Sequence, residues 1–460
     1  MTPARRDRNG RSGAVRRRTA AMLGFATAAV LAVTDRGMAE PLTLHAAAER
    51  ALAQYPSVQA AAARRDQAQK AIGVAKADWF PSLALSGTVT RYEEPMLVYP
   101  IHGFTPSLVP PFARTLYHAT LELGYTVFDG ARSGRVREAR ARAGAAGASA
   151  GATAQEMLQN VVLSYLQVLG RRELLAAHDR RLEALRAERT RVEHLLATGR
   201  AAEVDRLQAD AEVQRAEADR VERVAVLALA EQELARLLDV PAEATRASEL
   251  VPVVLADSIL APADSLSAAA EARNPRLQQA RAAAAASEAA AAAARGERWP
   301  ELGIFARENY WNDDGGNDAL EWSAGVQLVY PLFTGGARRA AIAAAGAEAQ
   351  ATSADAETAA LEIDRGLDQA RSDVEEARAR GASLDIAVRR FAEVVRIRKL
   401  TLETGTGTQV DYLDAEADLL DAQARLIDSR HREIAARSEL ALHSGQLDLE
   451  WLRRNLENRP

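Results

Sequence analysis

The sequence lacks cysteine altogether, has few aromatic residues and carries no excess of positive charge. Without cysteine there are no disulfides, thiolate metal ligands or cysteine nucleophiles, and there is no cysteine for N-terminal lipid attachment. Aromatic residues make up 5% of the 460 residues, and many apolar positions hold alanine, which favours closely packed helices over a bulky globular core. The formal net charge of −5 argues against a nucleic-acid-binding protein, so no nucleic-acid partner is expected.

Sequence motifs of common catalytic sites are also absent. The chain has no His-Glu-x-x-His motif, no phosphate-binding loop and no Gly-x-Ser-x-Gly motif. Its 7 histidines are scattered, and His431 falls on an apolar helical stripe, where packing is the simpler explanation. We therefore expect no enzymatic activity, no cofactor and no metal site.

The first 39 residues differ from the rest of the chain. Arginines crowd the segment 1–18, an apolar run follows at 19–33, and the small residues Gly37 and Ala39 suit a cleavage site. This order predicts a secretory signal peptide over 1–39. The apolar run is shorter than the ~20 residues of a membrane-spanning helix. Because no longer apolar run follows, insertion of the remaining chain into a membrane would require a closed β-barrel.

Three landmarks occur twice in the chain, in the same order each time. The first is a segment between two prolines that ends close to a tryptophan, the second is a Phe-x-Gly junction, and the third is a Thr-Gly turn followed by Val-Asp-x-Leu. The proline-bounded segments are 56–81 and 275–300. The junctions contain Phe128 and Gly130 in the first copy, and Phe333, Gly335 and Gly336 in the second. The turns contain Gly199 and Gly405. This recurrence predicts an internal duplication.

The duplication divides the chain after the signal peptide. We predict a first repeat over 40–240, a linker over 241–262, a second repeat over 263–445 and a C-terminal tail over 446–460. Each repeat has the pattern of an alanine-rich helix, a strand pair and a long helical hairpin. The strands are expected at about 81–91 and 119–128, and at about 301–310 and 321–330.

Apolar and small or polar residues alternate in these strands, as at Leu83 and Leu85 beside Ser82 and Ser86. The pattern suits a strand with one lipid-facing and one wet face, although a soluble hairpin packed on one side gives the same alternation. In the returning helices, apolar and small residues recur three and four positions apart, which is typical of a coiled-coil seam. A soluble antiparallel coiled coil would explain the helices but not the signal peptide or the strands.

Residues 405–415 read Gly-Thr-Gly-Thr-Gln-Val-Asp-Tyr-Leu-Asp-Ala. Together with the duplicated landmarks, this segment resembles the outer membrane efflux protein family, the TolC-like outer membrane factors. The resemblance covers nearly all of the chain after the signal peptide. It implies a mixed α and β membrane protein that assembles as a homotrimer.

In such a trimer each chain gives four strands to one 12-stranded β-barrel, continued by a long α-helical coiled-coil tunnel. The resemblance places the barrel in the outer membrane of a Gram-negative bacterium and the helices in the periplasm. It implies a passive conduit of a tripartite efflux or type I secretion system. The implied partners are a periplasmic adaptor (membrane fusion) protein and an inner-membrane transporter.

The resemblance also implies roles for residues at the far ends of the helical hairpins. Asp411 and Asp414 match the acidic positions of the periplasmic constriction, although an aspartate near a helix N-terminus also stabilises the helix by itself. Gly199 and Gly405 match the tip positions that adaptors contact, although both are also ordinary turn residues. The chain has Leu402 and Gly407 where some members carry the Tyr and Arg that close the tip.

A periplasmic coiled-coil adaptor of an efflux pump is the alternative interpretation. Adaptors have one long hairpin and soluble β-domains, so the duplicated hairpin and the two alternating strand pairs favour the conduit. Specificity for the exported compound usually belongs to the pump, and neither the compound nor the pump class follows from this sequence.

Overall fold

The computed structural model describes residues 41–97, 112–256, 262–316 and 318–456. The signal peptide predicted over 1–39 lies outside the described residues.

The described residues of the first repeat form four helices and two strands. They are α1 (Leu44–Gln54), α2 (Pro56–Ala77), β1 (Ser82–Leu97), β2 (Phe112–Phe128), α3 (Arg132–Ala197) and α4 (Glu203–Leu237). With 66 residues, α3 is about 100 Å long at 1.5 Å per residue. The segment predicted as a linker contains a further short helix, α5 (Ala242–Ala247).

The second repeat has its elements in the same order. They are α6 (Ala263–Arg273), α7 (Pro275–Gly296), β3 (Glu301–Asp313), β4 (Asp318–Val329), α8 (Ala337–Glu403) and α9 (Gln409–His443). At 67 residues, α8 nearly equals α3 in length. The predicted C-terminal tail contains a helix as well, α10 (Leu449–Asn455).

Each repeat opens with two helices rather than one continuous alanine-rich helix. Pro56 and Pro275 occupy the first turn of α2 and α7, where the missing N–H of proline costs no helical hydrogen bond. The proline ring disfavours a helical conformation in the residue before it, and Tyr55 and Asn274 are accordingly extended. Asn274 also caps α7, because its side-chain oxygen accepts the N–H of Arg276 at 2.9 Å.

The four strands form one antiparallel sheet in the order β1-β2-β3-β4, as predicted for each chain. Leu123 of β2 pairs with Leu83 of β1 on one side and with Ala306 of β3 on the other. The pairing of β2 with β3 joins the two repeats, whereas β1 and β4 lie at the edges of the sheet. Beyond the predicted end at 91, β1 continues through an irregular register between Arg91 and Met96.

The helices pack in an order that reflects the duplication. Within the repeats, α2 packs on α3 and α7 packs on α8. Between the repeats, α3 packs on both α7 and α9. Near the sheet this contact is very close, since a Cβ atom at Gly130 would lie 2.5 Å from the carbonyl oxygen of Gly296.

The largest hydrophobic core lies where α1, α3, α4, α9 and α10 meet. Tyr165 is fully buried there, and its hydroxyl lies 2.7 Å from the carbonyl oxygen of Leu42 and 2.8 Å from that of Val251. The predicted linker is therefore tied to α3 along part of its length.

A buried ion pair holds the same segment. The guanidinium group of Arg172 donates to the carboxylate of Glu231 at 2.8 Å and to the carbonyl oxygens of Thr245 and Ser248. Glu231 is only 4% exposed, so this pairing offsets the cost of burying its charge. Arg172 thus fixes α5 against α3 and α4.

Candidate functional site

The two faces of the sheet differ in chemistry. One face carries large apolar side chains that are all exposed in the single chain. They are Leu83, Leu85, Val89, Tyr117, Leu121, Leu123, Val127, Ile304, Tyr310, Leu320, Trp322, Val326 and Leu328. Glu308 interrupts this face, since it lies in the register between Leu121 and Trp322. An exposed face that is otherwise apolar in this way is typical of strands in contact with lipid.

The opposite face of the sheet is polar. Glu122 of β2 and Arg307 of β3 form an ion pair at 2.9 Å. Nearby, the hydroxyl of Thr120 donates to Oδ1 of Asn309 at 2.9 Å. The sheet therefore has one apolar face and one face suited to water.

Charged side chains cover the exposed faces of the long helices, and many pair within one helix, as Arg206 and Asp210 do at 2.7 Å. In the part of the chain that the structure describes, no helix combines the length and the apolar character needed to cross a membrane. The same residues include no cluster of three or more His, Cys, Asp or Glu side chains arranged to hold a metal ion.

The strand–helix junction of the first repeat is held by an ion pair. Asp129 accepts hydrogen bonds from the N–H of Ala131 at 2.8 Å and from Arg135 at 2.5 Å. Burial raises the pKa of Asp129, but these two donors outweigh burial and hold the pKa below its ordinary value. The flanking Phe128 is half-exposed, and Gly130 is packed against α7.

The junction of the second repeat is more open. Gly335 and Gly336 have φ angles of 61° and 87°, a conformation that glycine adopts without steric cost. Phe333 is 87% exposed. In the first repeat, α7 covers the start of α3. The equivalent part of α8 is uncovered in the single chain.

The two hairpin turns lie together at the end of the helices far from the sheet. Gly199 and Gly405 have φ angles of 70° and 78°, and neither would bring a Cβ atom within 4 Å of another group. Gln409 joins the two tips, because its Nε2 donates to the carbonyl oxygen of Asp205 at 3.1 Å. The structure therefore brings the two predicted tip turns into one site.

The equivalent aspartates of the two tips have different partners. In the first repeat, Oδ2 of Asp205 accepts the N–H of Ala202 at 2.9 Å and so caps α4. In the second repeat, Thr408 is the cap, and its hydroxyl accepts the N–H of Asp411 at 3.2 Å. The carboxylate of Asp411 instead lies 3.5 Å from Arg398 of α8.

Asp414 lies one helical turn further along α9 and is exposed. Between the two aspartates, Tyr412 is 4% exposed, and its hydroxyl donates to Glu416 at 2.9 Å. Burial and the charge of Glu416 raise the pKa of Tyr412 above its ordinary range. The buried face of α9 thus stabilises the tip while Asp411 and Asp414 remain accessible to solvent.

Structural roles are visible for Leu402 and Gly407, the positions where the sequence resemblance implies a Tyr and an Arg in some members. Leu402 is partly buried against the cluster that includes Leu182, Leu185 and Tyr412. Gly407 lies in the turn, where a Cβ atom would approach Oγ1 of Thr401 to 2.7 Å. Neither position offers a polar side chain to hold the tip.

Sequence reasoning missed Arg398 and Gln409 as tip residues. Arg398 lies one turn before Leu402 on α8, so helical spacing alone could have placed it beside the turn. Gln409 carried no such signal, because its partner belongs to the other repeat.

Comparison with known proteins agrees with this geometry. The family model described as outer membrane efflux protein matches residues 47–239 and 266–446. Protein CyaE of Bordetella pertussis is 29% identical over 359 residues, which span 74% of this chain and 70% of that protein.

Solved structures share the fold at lower identity. The outer membrane protein VceC of Vibrio cholerae superposes with a TM-score of 0.74 at 21% identity, over 87% of this chain and 96% of that one. The CmeC outer membrane channel of Campylobacter jejuni gives a TM-score of 0.77 at 14% identity, over 89% and 88% of the two chains. The duplicated hairpins, the four-stranded sheet and the family match over most of the sequence lead to one conclusion: the chain belongs to the outer membrane efflux protein family.

Proposed function

We propose that this chain is one protomer of a homotrimeric outer-membrane channel, a passive conduit of a tripartite efflux or type I secretion system. The sheet lies in the outer membrane of a Gram-negative bacterium, and the long helices extend into the periplasm. The partners are a periplasmic adaptor (membrane fusion) protein and an inner-membrane transporter.

The observation that carries this proposal is the pair of uncovered edges left by the duplication. Inside the chain, β2 pairs with β3, and α3 packs on α7 and α9. The equivalent contacts of the second repeat would join β4 to β1 and α8 to α2 and α4. All of these lie at opposite edges of one chain, so only a second copy of the chain can supply them.

Head-to-tail contacts of this kind close into a ring, and the number of strands sets its size. A dimer would make an eight-stranded barrel, whose interior side chains fill, whereas a trimer makes a 12-stranded barrel with room for an aqueous channel. The exposed apolar face of the sheet then meets lipid, and the polar face lines the lumen.

At the tip, Asp411 and Asp414 of three protomers would form two acidic rings at the periplasmic constriction. Such rings favour cations and bind multivalent cations. Leu402 and Gly407 provide no polar side chains, whereas Asp411 forms an ion pair with Arg398 in this region of each tip. Gly199 and Gly405, exposed at the ends of the hairpins, form the surface for the adaptor.

The experiment that tests this proposal is single-channel recording of the purified protein in a planar bilayer. The expected result is a cation-preferring pore whose preference falls in the Asp411→Ala/Asp414→Ala variant. An ion preference that is the same in the parent protein and in this variant would contradict the acidic rings. A folded protein that stays in solution without detergent would contradict the channel and favour the periplasmic adaptor.

A further inference from the structure

One aromatic pair stands out on the polar face of the sheet. The rings of His118 on β2 and Trp311 on β3 stack with centroids 3.6 Å apart and an angle of 6° between their planes. The two residues are direct partners in the register of the strands. Nε2 of His118 lies 3.0 Å from the hydroxyl of Thr120 and 3.2 Å from Oδ1 of Asn309, so hydrogen bonds fix the imidazole ring.

Packing fixes Trp311 as well. Ala113 and Leu116 are 6% and 7% exposed, and Tyr92 and Trp311 pack against them. Trp311 is thus held in a small cluster, and His118 is joined to it through the ring stack.

The pair supplies most of the side-chain bulk at its level of the sheet. In the same row, His118 is flanked by Thr88 of β1, and Trp311 is flanked by Ala319 of β4. Phe305, a further aromatic residue of this face, lies against Gly325, where a Cβ atom would be 2.9 Å from its ring. Phe305 therefore lies over the backbone of the neighbouring strand.

The pair also lies at a defined end of the sheet. The helices join the strands at the end marked by Phe128 and Glu301, whereas the turn between β3 and β4 follows Asp313 at the other end. Trp311 lies two residues before that turn. With the helices in the periplasm, this end is the outer mouth.

We propose that Trp311, positioned by His118, forms a size-selective narrowing at the outer mouth of the conduit. This inference rests on the proposed trimer with a lumen-facing polar face. Threefold symmetry would place three copies of the pair at one height, so the row of largest side chains would limit the size of a passing solute. His118 acts as a positioning residue, because its stacking and hydrogen bonds hold the indole ring.

The cysteine-free sequence allows a direct test by labelling one introduced cysteine. Ser323 is exposed on the polar face, pairs with Arg307 and lies nearer to the helices than Trp311. Membrane-impermeant maleimides of increasing size, added to intact cells, must pass the level of Trp311 to reach a Ser323→Cys variant. The labelling rate against reagent size then reports the width of the mouth.

The matched comparison is made in the Ser323→Cys background between Trp311→Ala and Trp322→Ala. Trp322 is the control, because it lies on the neighbouring strand but on the apolar face. We expect the Trp311→Ala variant to be labelled several-fold faster by the larger reagents, with Trp311→Leu intermediate. Trp322→Ala should keep the original size limit. His118→Ala should shift the limit in the same direction as Trp311→Ala, but less.

An equal size limit in the Trp311→Ala and Trp322→Ala variants would overturn the narrowing. If Ser323→Cys in the folded protein resists even the smallest reagent, the polar face does not line a lumen and the proposed function itself fails. If Trp311→Ala does not fold, an unchanged limit in Trp311→Leu overturns the narrowing, and a raised limit supports it.

Discussion

Gln409 donates a hydrogen bond from Nε2 to the backbone carbonyl oxygen of Asp205 at 3.1 Å. Gln409 is the first residue of α9 and is 7% exposed, and Asp205 lies in the first turn of α4. The bond therefore ties together the starts of the returning helices of the two repeats. Separation of the two tips would leave the amide of Gln409 and the carbonyl of Asp205 without this contact.

The first prediction concerns this bond. Gln409→Ala removes this hydrogen bond but leaves the carbonyl oxygen of Asp205 with its helical partner in α4, so the contact between the two tips should weaken by about 0.5–1.5 kcal/mol. We expect a higher open probability in single-channel recordings. Gln369→Ala is the matched control, because Gln369 bonds only locally to Asp373 on an exposed face of α8. An equal open probability in both variants would show that the bond does not hold the tip.

A second prediction separates charge from stability at the tip. Arg398 and Asp411 are both about half-exposed, so their pairing should contribute only about 0–1 kcal/mol to stability. Their charges oppose each other at the constriction. Arg398→Ala should therefore raise the cation preference of the pore, and Asp411→Ala should lower it, with little change in the unfolding temperature of either variant.

The control for this pair is Arg396→Ala, which removes an arginine that pairs with Glu393 on an exposed part of α8. Reversal potentials in a salt gradient give the measurement. If Arg398→Ala and Arg396→Ala shift the reversal potential equally, the effect belongs to net charge and not to the contact with Asp411.

The third prediction tests the close contact beside the first strand–helix junction. A Cβ atom at Gly130 would meet the carbonyl oxygen of Gly296, a backbone atom that cannot rotate away. Gly130→Ala should cost about 1–3 kcal/mol, as overpacking does. Gly147→Ala, in α3 with open space around it, should instead stabilise the helix by about 0.5–1 kcal/mol. Equal unfolding free energies in denaturant would refute the contact.

The fourth prediction concerns acid stability. His178 of α3 is fully buried. Burial lowers the pKa of His178 below 6.5, and the positive charges of Arg223 and Arg181 lower it further. The negative charges of Asp219 and Asp179 raise this pKa but do not outweigh the other effects. The unfolded chain then binds a proton more readily than the folded chain. Stability should therefore fall as the pH drops below 6.5 towards the folded-state pKa, and it should be regained above 6.5.

His178→Leu removes this titration, so the loss of stability between pH 7.5 and pH 5 should be smaller than in the parent protein. His194→Leu is the control on the same helix, because His194 is exposed. Thermal unfolding followed by circular dichroism in detergent gives the measurement. A pH dependence that is unchanged by His178→Leu would assign the acid sensitivity to other groups.

Local patterns predicted much of this fold. The alternation at Leu83 and Leu85 predicted a strand, and the Thr-Gly turns predicted the ends of the hairpins at Gly199 and Gly405. These signals work because strand and helix periodicity and the φ angle of a turn are properties of a few adjacent residues. The split of the opening helices at Pro56 and Pro275 is equally local, although the alanine content alone predicts one continuous helix.

Contacts between distant segments could not be predicted in the same way. The linker carries proline and valine, but its order depends on Arg172 and Glu231, which lie in α3 and α4. The pairing of Asp411 with Arg398 likewise requires the hairpin of α8 and α9 to form. Tyr412 packs beside it in the cluster that includes Leu182 and Leu185. The family resemblance therefore implied a place for Asp411 at the constriction, whereas its ion pair with Arg398 is visible only in the structure.

A cross-link between protomers would detect the head-to-tail ring itself. Inside the chain, a Cβ atom at Gly134 would lie 2.7 Å from Cβ of Ala293. Their counterparts in the other repeat, Arg339 and Val74, are both exposed and lie on opposite edges of one chain. Oxidation of the Val74→Cys/Arg339→Cys variant in membranes should give covalent dimers and trimers that reducing agent disperses, whereas neither single variant should form trimers. Folded protein that remains entirely monomeric after oxidation would contradict the head-to-tail ring.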